Sequence, residues 1–167
     1  MADELSKLAE QVGAALKSRG LMLATAESCT GGWVGEVVTS VAGSSHWYDR
    51  GFITYTNESK QEMLGVSANT LAEYGAVSEQ TVREMAAGAL KHSRAHITLA
   101  ISGIAGPEGG SPDKPVGTVC VAWAMRNGVE QSQTMHFLGD RLAVRQQAVV
   151  AALQGALRGI LDAVIVA

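Results

Sequence analysis

Charge is scarce in this chain. Only 17% of its 167 residues are Asp, Glu, Lys or Arg, and the net charge is −3. Proteins that bind nucleic acid carry a basic face or stripe, so a weakly acidic, charge-poor chain speaks against that class. Aromatic residues amount to 5%, against 47% hydrophobic residues in all. The core must therefore be aliphatic, built from Ala, Val, Leu and Ile. Cysteine is nearly missing: Cys29 and Cys120 form neither a CxxC motif nor a disulfide framework. The histidines His46, His92, His96 and His136 show no metal-ligand spacing with them. No metal and no organic cofactor is expected. Long apolar runs are also lacking, and the C-terminal run Ala163 to Ala167 is far too short for a bilayer. The N-terminal segment is amphipathic and charged, without the apolar stretch of a secretory signal. The expectation is a soluble cytoplasmic chain with neither membrane nor nucleic acid as partner.

Glycine is what the chain has in excess, 19 residues gathered in a few places. Between those places the pattern alternates. Leu5, Leu8, Val12 and Leu16 recur at helical spacing, and Gly20 stops that helix. Met22 to Ala26 reads as a short apolar strand. Thr30 to Val41 reads as a helix, and Phe52 to Tyr55 as a second strand. Asn57 is the expected cap of a short helix carrying Lys60, Met63 and Leu64. Ser67 and Ser78 are expected to cap helices over Ala68 to Tyr74 and Glu79 to Lys91. Ile97 to Ile101 is a continuous apolar run, the mark of a strand buried on both faces. Val116 to Met125 and Val129 to Phe137 flank Arg126-Asn127-Gly128, a hairpin signal. A last helix runs from Arg141 to Leu161. The alternation predicts an α/β fold, a three-layer α/β/α sandwich on a mixed sheet of about five strands whose last strands form a hairpin. Residues 1–167 show no linker or repeat, so a single domain is expected.

Four segments carry candidate chemistry. The first is Ala26-Glu27-Ser28-Cys29-Thr30-Gly31-Gly32, at a strand-to-helix turn. A helix N-terminus offers unpaired N–H groups and partial positive charge, and glycines let a ligand approach the backbone. A serine ahead of a helix is ordinarily a cap. Thr30 fits that role better here, which frees Ser28 to act as a nucleophile. Cys29 is a rival, since a helix terminus lowers a thiol pKa, although a small buried hydrophobe is the commoner fate of cysteine. The second segment pairs Tyr55 with Lys60. A serine nucleophile needs a base, and a lysine serves if burial lowers its pKa from about 10.4. A lysine on a short polar helix ordinarily faces solvent. The third is the loop Ser102 to Gly110, after a buried strand, where open α/β sheets bind ligands. It lacks the Gly-Lys-Ser/Thr ending and the Gly-x-Gly-x-x-Gly spacing of known phosphate loops. The fourth is Gly139-Asp140-Arg141 with Arg145 one turn on. It reads equally as a capped helix start with solvated arginines or as an anion-recognition face.

Together these segments resemble the CinA C-terminal domain family. The matching residues are Ala26 through Gly32, Gly43-Ser44-Ser45, Gly51 through Tyr55 with Lys60, Gly75-Ala76-Val77-Ser78, Ser102 through Pro107, Lys114 through Val119, and Gly139-Asp140-Arg141. They run in order along nearly the whole chain. The resemblance implies hydrolysis of the carboxamide of a small-molecule substrate, nicotinamide mononucleotide, to nicotinic acid mononucleotide and ammonia. It implies a serine nucleophile at Ser28, a lysine base at Lys60 and an assisting tyrosine at Tyr55. It implies substrate contacts at Thr30, Gly31, Gly32, Ser45, Ser102, Gly103, Ala105, Gly106 and Arg141. N–H groups near Thr30 and Gly31 are the expected oxyanion donors. Family members are commonly dimers, so a homodimer is implied. The rival from another class is a nucleotide-binding module without catalysis, serving competence or the DNA-damage response.

Overall fold

The protein is described by a computed structural model covering residues 2–163. The apolar residues Val164 to Val166 and the final Ala167 lie outside the described residues. Helix α1 (Ala2–Ser18) leads into strand β1 (Leu23–Glu27), followed by α2 (Trp33–Thr39), β2 (Tyr48–Ile53) and the short helices α3 (Asn57–Leu64) and α4 (Ala68–Tyr74). Then come α5 (Glu79–Lys91), β3 (Ile97–Gly103), β4 (Thr118–Met125), β5 (Glu130–His136) and the long α6 (Arg141–Asp162). The five strands lie in the order β2-β1-β3-β4-β5. β1 runs parallel to both β2 and β3, whereas β3–β4 and β4–β5 pair antiparallel. The expected mixed sheet with a closing hairpin is thus present. Gly128 turns that hairpin at a φ of 96°.

Alternation along the strands divides the core into two layers. Leu99, Ile101, Val119, Val121 and Trp123 face α1, α2 and α6. Ala26, Ala100, Cys120, Ala122 and Ala124 face the other way, against α5 with Leu64 and Val66. The second face uses small side chains, so α5 sits close to the sheet. Gly88 also lets α5 press on the end of α3: a Cβ there would lie 2.0 Å from the Leu64 carbonyl oxygen. Among the described residues no helix is long and apolar enough to cross a membrane.

Element ends depart from the sequence expectation where backbone geometry decides. The α3 cap is Thr56, not Asn57: Thr56 is extended, its hydroxyl accepts from the Ser59 N–H, and Ser59 reciprocates in a capping box. Ser67 and Ser78 cap their helices as expected, and Asp140 caps α6, one of the two readings open for its segment. β2 begins at Tyr48 rather than Phe52, because Leu23 N–H bonds the Trp47 carbonyl and starts the parallel ladder there. β4 begins at Thr118, after Gly117 at a φ of 96°.

Candidate active site

The carboxyl ends of β1 and β3 lie side by side, and the chain turns sharply after Glu27. Ser28 N–H donates to the Ile101 carbonyl at 3.0 Å, so β3 holds the backbone of the expected nucleophile. Gly31 N–H closes the turn on the Ser28 carbonyl, also at 3.0 Å. Gly31 and Gly32 take φ values of 61° and 101°, a left-handed pair that side-chain-bearing residues rarely adopt. This pair delays α2 to Trp33. Thr30 therefore is not its cap, and Gly32, which occupies the cap position, has no side chain to offer.

Glu27 fills that gap. Its buried carboxylate accepts from the Thr30 hydroxyl at 2.6 Å, Val34 N–H at 2.9 Å and Gly35 N–H at 3.0 Å. An anion at a helix N-terminus is stabilised by the exposed N–H groups and the helix dipole. Sequence reasoning gave Glu27 no role. The available signal was a carboxylate ahead of a helix that opens on two glycines. Glu27→Ala leaves two buried donors and one half-buried donor unpaired and is expected to lower stability by about 3 kcal/mol. A urea titration that finds a loss below about 0.5 kcal/mol contradicts this role.

Lys60 is brought to Ser28 across 32 positions of sequence. Its Nζ donates to Ser28 Oγ at 3.0 Å and to the Thr54 carbonyl at 2.8 Å. Thr54 is itself fixed by its N–H on the Glu27 carbonyl at 2.9 Å. Lys60 is 1% exposed, not on a solvated face. Burial pushes its pKa below the ordinary lysine value, and its coupling to Cys29 opposes that only in part. Cys29 goes the other way from expectation. Burial outweighs the nearby Arg145 charge and pushes the thiol up to about 11, so it stays protonated near neutral pH.

These groups open on a cleft of about 270 Å³. Ser28, Cys29, Tyr55 and Lys60 line it, with Ser102, Gly103, Ala105, Gly106 and Arg141, all but Cys29 among the expected site residues. Ser102 is a buried residue on the cleft wall. Arg141 donates to the Gly106 carbonyl at 2.9 Å and to the Tyr55 hydroxyl at 3.0 Å. Tyr55 is 58% exposed, and its hydroxyl bonds Arg141 rather than Ser28 or Lys60. Asn57, Ala76, Val77, Ile104, Glu108 and Gly109 complete the lining. Of these, the sequence segments had flagged Ala76, Val77 and the glycine loop without assigning them contacts.

Three expectations are corrected. Thr30, Gly31 and Gly32 shape the nucleophile turn but do not line the cleft. The Gly31 N–H is already bonded to Ser28, so it is not an oxyanion donor. Ser45 is exposed in a 3₁₀ turn (Ser44–His46) just before β2, whose first residue pairs with Leu23. A strand parallel to β1 must start at the amino end of β1, so Ser45 lies at the sheet edge opposite Ser28. Arg145, one turn on from Arg141 on the same side of α6, has different partners from it. It donates to the carbonyls of Cys29 at 3.0 Å and Thr30 at 3.2 Å, and its guanidinium stands 5.5 Å from the centre of the Trp33 ring.

The model of the family described as CinA C-terminal domain matches residues 5–160. The nicotinamide-nucleotide amidohydrolase PncC of Escherichia coli K12 is 59% identical over 151 residues, spanning 90% of this chain and 92% of that protein. The enzyme of the same name from Pseudomonas putida is 46% identical over 156 residues, spanning 93% of this chain and 97% of that protein. The crystal structure of a competence/damage inducible protein, CihA, from Agrobacterium tumefaciens superposes with a TM-score of 0.92 at 45% identity, covering 95% of this chain and 96% of that one.

Proposed function

Because the chain belongs to the CinA C-terminal domain family, we propose that it hydrolyses the carboxamide of nicotinamide mononucleotide, giving nicotinic acid mononucleotide and ammonia. One observation carries the reading beyond the relatives' names: a buried lysine amine 3.0 Å from a serine hydroxyl at the mouth of a cleft. A nucleophile and a desolvated base in hydrogen-bond contact are the parts that acyl transfer needs.

Lys60 in its neutral form takes the Ser28 proton as Oγ attacks the carboxamide carbon. One of the two N–H groups of the neutral amine stays on the Thr54 carbonyl and keeps the lone pair aimed at Ser28. The tetrahedral oxyanion needs a donor. Of the N–H groups from Ser28 to Gly31, the first and last are bonded within the fold, whereas those of Cys29 and Thr30 bond no other described residue. Thr30 has no exposed surface and Cys29 lines the cleft, so the Cys29 N–H is the donor. The C–N bond then breaks, the Lys60 ammonium returns its proton to the leaving nitrogen, and ammonia departs. Water, deprotonated by Lys60, attacks the acyl ester; the bond to Oγ breaks, Ser28 regains its proton from the Lys60 ammonium, and the carboxylate is released. Ser102 and the Gly103–Gly106 backbone contact the nucleotide, and Arg141, steadied by Tyr55, meets its phosphate at the rim. Tyr55 assists by holding Arg141, while the proton passes directly between Ser28 and Lys60.

The rival, a nucleotide-binding module, has no use for a buried amine on a serine hydroxyl. The test is incubation of the protein with nicotinamide mononucleotide, following ammonia and the nicotinate product together. Equimolar appearance of both is expected. Binding of the nucleotide without either product would favour the module.

A further inference from the structure

We infer that Arg145 is a positioning residue that preorganises the nucleophile turn from the side away from the substrate; this rests on the amidase reading above. Arg145 does not line the cleft. From α6 it reaches behind the turn, where its Nε donates to the Cys29 carbonyl and its Nη2 to the Thr30 carbonyl. The guanidinium suits this task because its donors are fixed in one plane and grip two acceptors at once. Trp33, the first residue of α2, supplies the aromatic face over which it lies.

The consequence falls on Cys29. Its N–H belongs to the peptide unit whose carbonyl, that of Ser28, is held by Gly31 N–H. Its own carbonyl is held by Arg145. Both peptide planes flanking Cys29 are therefore pinned, and the direction of its N–H is set before substrate arrives. In a trans peptide the carbonyl and the next residue's N–H point opposite ways, so the Gly31 bond on the Ser28 carbonyl aims the Cys29 N–H, and Arg145 acts one plane further on, fixing the Cys29 carbonyl so that the residue cannot rotate between the two planes. A hole that is fixed in advance stabilises the transition state without reorganisation. The Thr30 carbonyl also takes the Trp33 N–H at 3.0 Å, so the Arg145 grip extends to the start of α2. Among the described residues no acidic side chain pairs with Arg145, and its bonds go to the turn itself.

The experiment compares wild type, Arg145→Lys and Arg145→Ala for ammonia release from nicotinamide mononucleotide, with melting temperature and nucleotide binding measured on each. A lysine is a point charge and cannot span both carbonyls. Misplacement by about 1 Å costs on the order of 10²-fold in rate. Arg145→Lys is expected to lose 10- to 100-fold in kcat, roughly that range, with KM within about threefold, because the loss lies in the transition state alone. Millimolar guanidinium is expected to restore part of the Arg145→Ala rate, since the site is only half-buried. A raised KM at unchanged kcat would overturn the inference in favour of direct phosphate binding. A lower melting temperature with unchanged kcat per folded molecule would overturn it in favour of a purely structural tie. A wild type that makes no ammonia would instead bring down the amidase reading itself.

Discussion

Ser28→Ala is expected to abolish ammonia release, with kcat lowered by roughly 10⁴-fold or more, as removing the nucleophile of a coupled set does. Affinity for the nucleotide should stay within a few-fold, because the ring, ribose and phosphate contacts assigned to the Ser102–Gly106 loop and Arg141 are untouched. The fold should survive as well. Ser28 is held by its backbone N–H on Ile101, and the alanine keeps that bond. Cys29 cannot take over. Its thiol, pushed up to about 11 by burial, is almost wholly protonated near pH 7, and the Thr54 carbonyl still holds the Lys60 amine when the Ser28 hydroxyl is gone. Calorimetric binding together with a discontinuous ammonia assay checks both halves. Activity near wild type would move the nucleophile elsewhere. Loss of binding along with activity would mean that the substitution disturbed the cleft, not the chemistry alone.

What the sequence makes legible here is local. The continuous apolar run of β3, the Asn127-Gly128 turn and the Ser67, Ser78 and Asp140 caps are each set by neighbours a few residues apart, and each has its counterpart in the structure. The Ser28–Lys60 contact is of another kind. It depends on β2 returning parallel to β1, on Thr54 N–H bonding past the end of β1, and on a capping box that turns α3 inward; no short-range pattern contains these. Ser28 and Lys60 were named because the segments together resemble a family, and the geometry then supplies the reason for the pairing. The misplacements follow the same division. Thr30 fits the pattern of a helix cap, but two left-handed glycines move the helix start beyond its reach, and Glu27 from the preceding strand takes over. Ser45 sits in a motif segment whose position in space is fixed by strand direction, not by its neighbours. Arg145, spaced like a partner of Arg141, faces the Cys29–Thr30 carbonyls because helix α6 rotates by about 100° per residue and brings i and i+4 to the same side yet one turn apart along the axis. That displacement, about 6 Å, separates the cleft rim from the back of the turn.

Lys60→Met is the second large effect, and it has two readouts of opposite sign. Activity should fall by roughly 10²- to 10⁴-fold, the span of a lost general base. In the wild type, the rate should climb with pH as Lys60 loses its proton, because only the neutral amine accepts from Ser28. The lowered pKa places that climb below the ordinary lysine range. Stability should respond as well. In the folded chain Lys60 gives up its proton at lower pH than in the unfolded chain, so between the two values the unfolded chain binds more protons. Wild-type stability therefore rises with pH across that window, which ends near 10.4. Below the window both states carry the charge, and the full cost of burying it remains. Methionine has no such proton. Its substitution removes the buried charge but leaves the Thr54 carbonyl unpaired, a cost of about 1–3 kcal/mol that does not vary with pH. The slope, not the absolute difference, is the clean signal. Urea denaturation at pH 7 and pH 9.5 should show wild type gaining on Lys60→Met as the pH rises. Equal slopes in the two proteins would place the Lys60 pKa at its ordinary value and remove the basis for its role as base, whereas an unequal slope with kcat within tenfold of wild type would leave the amine buried but idle.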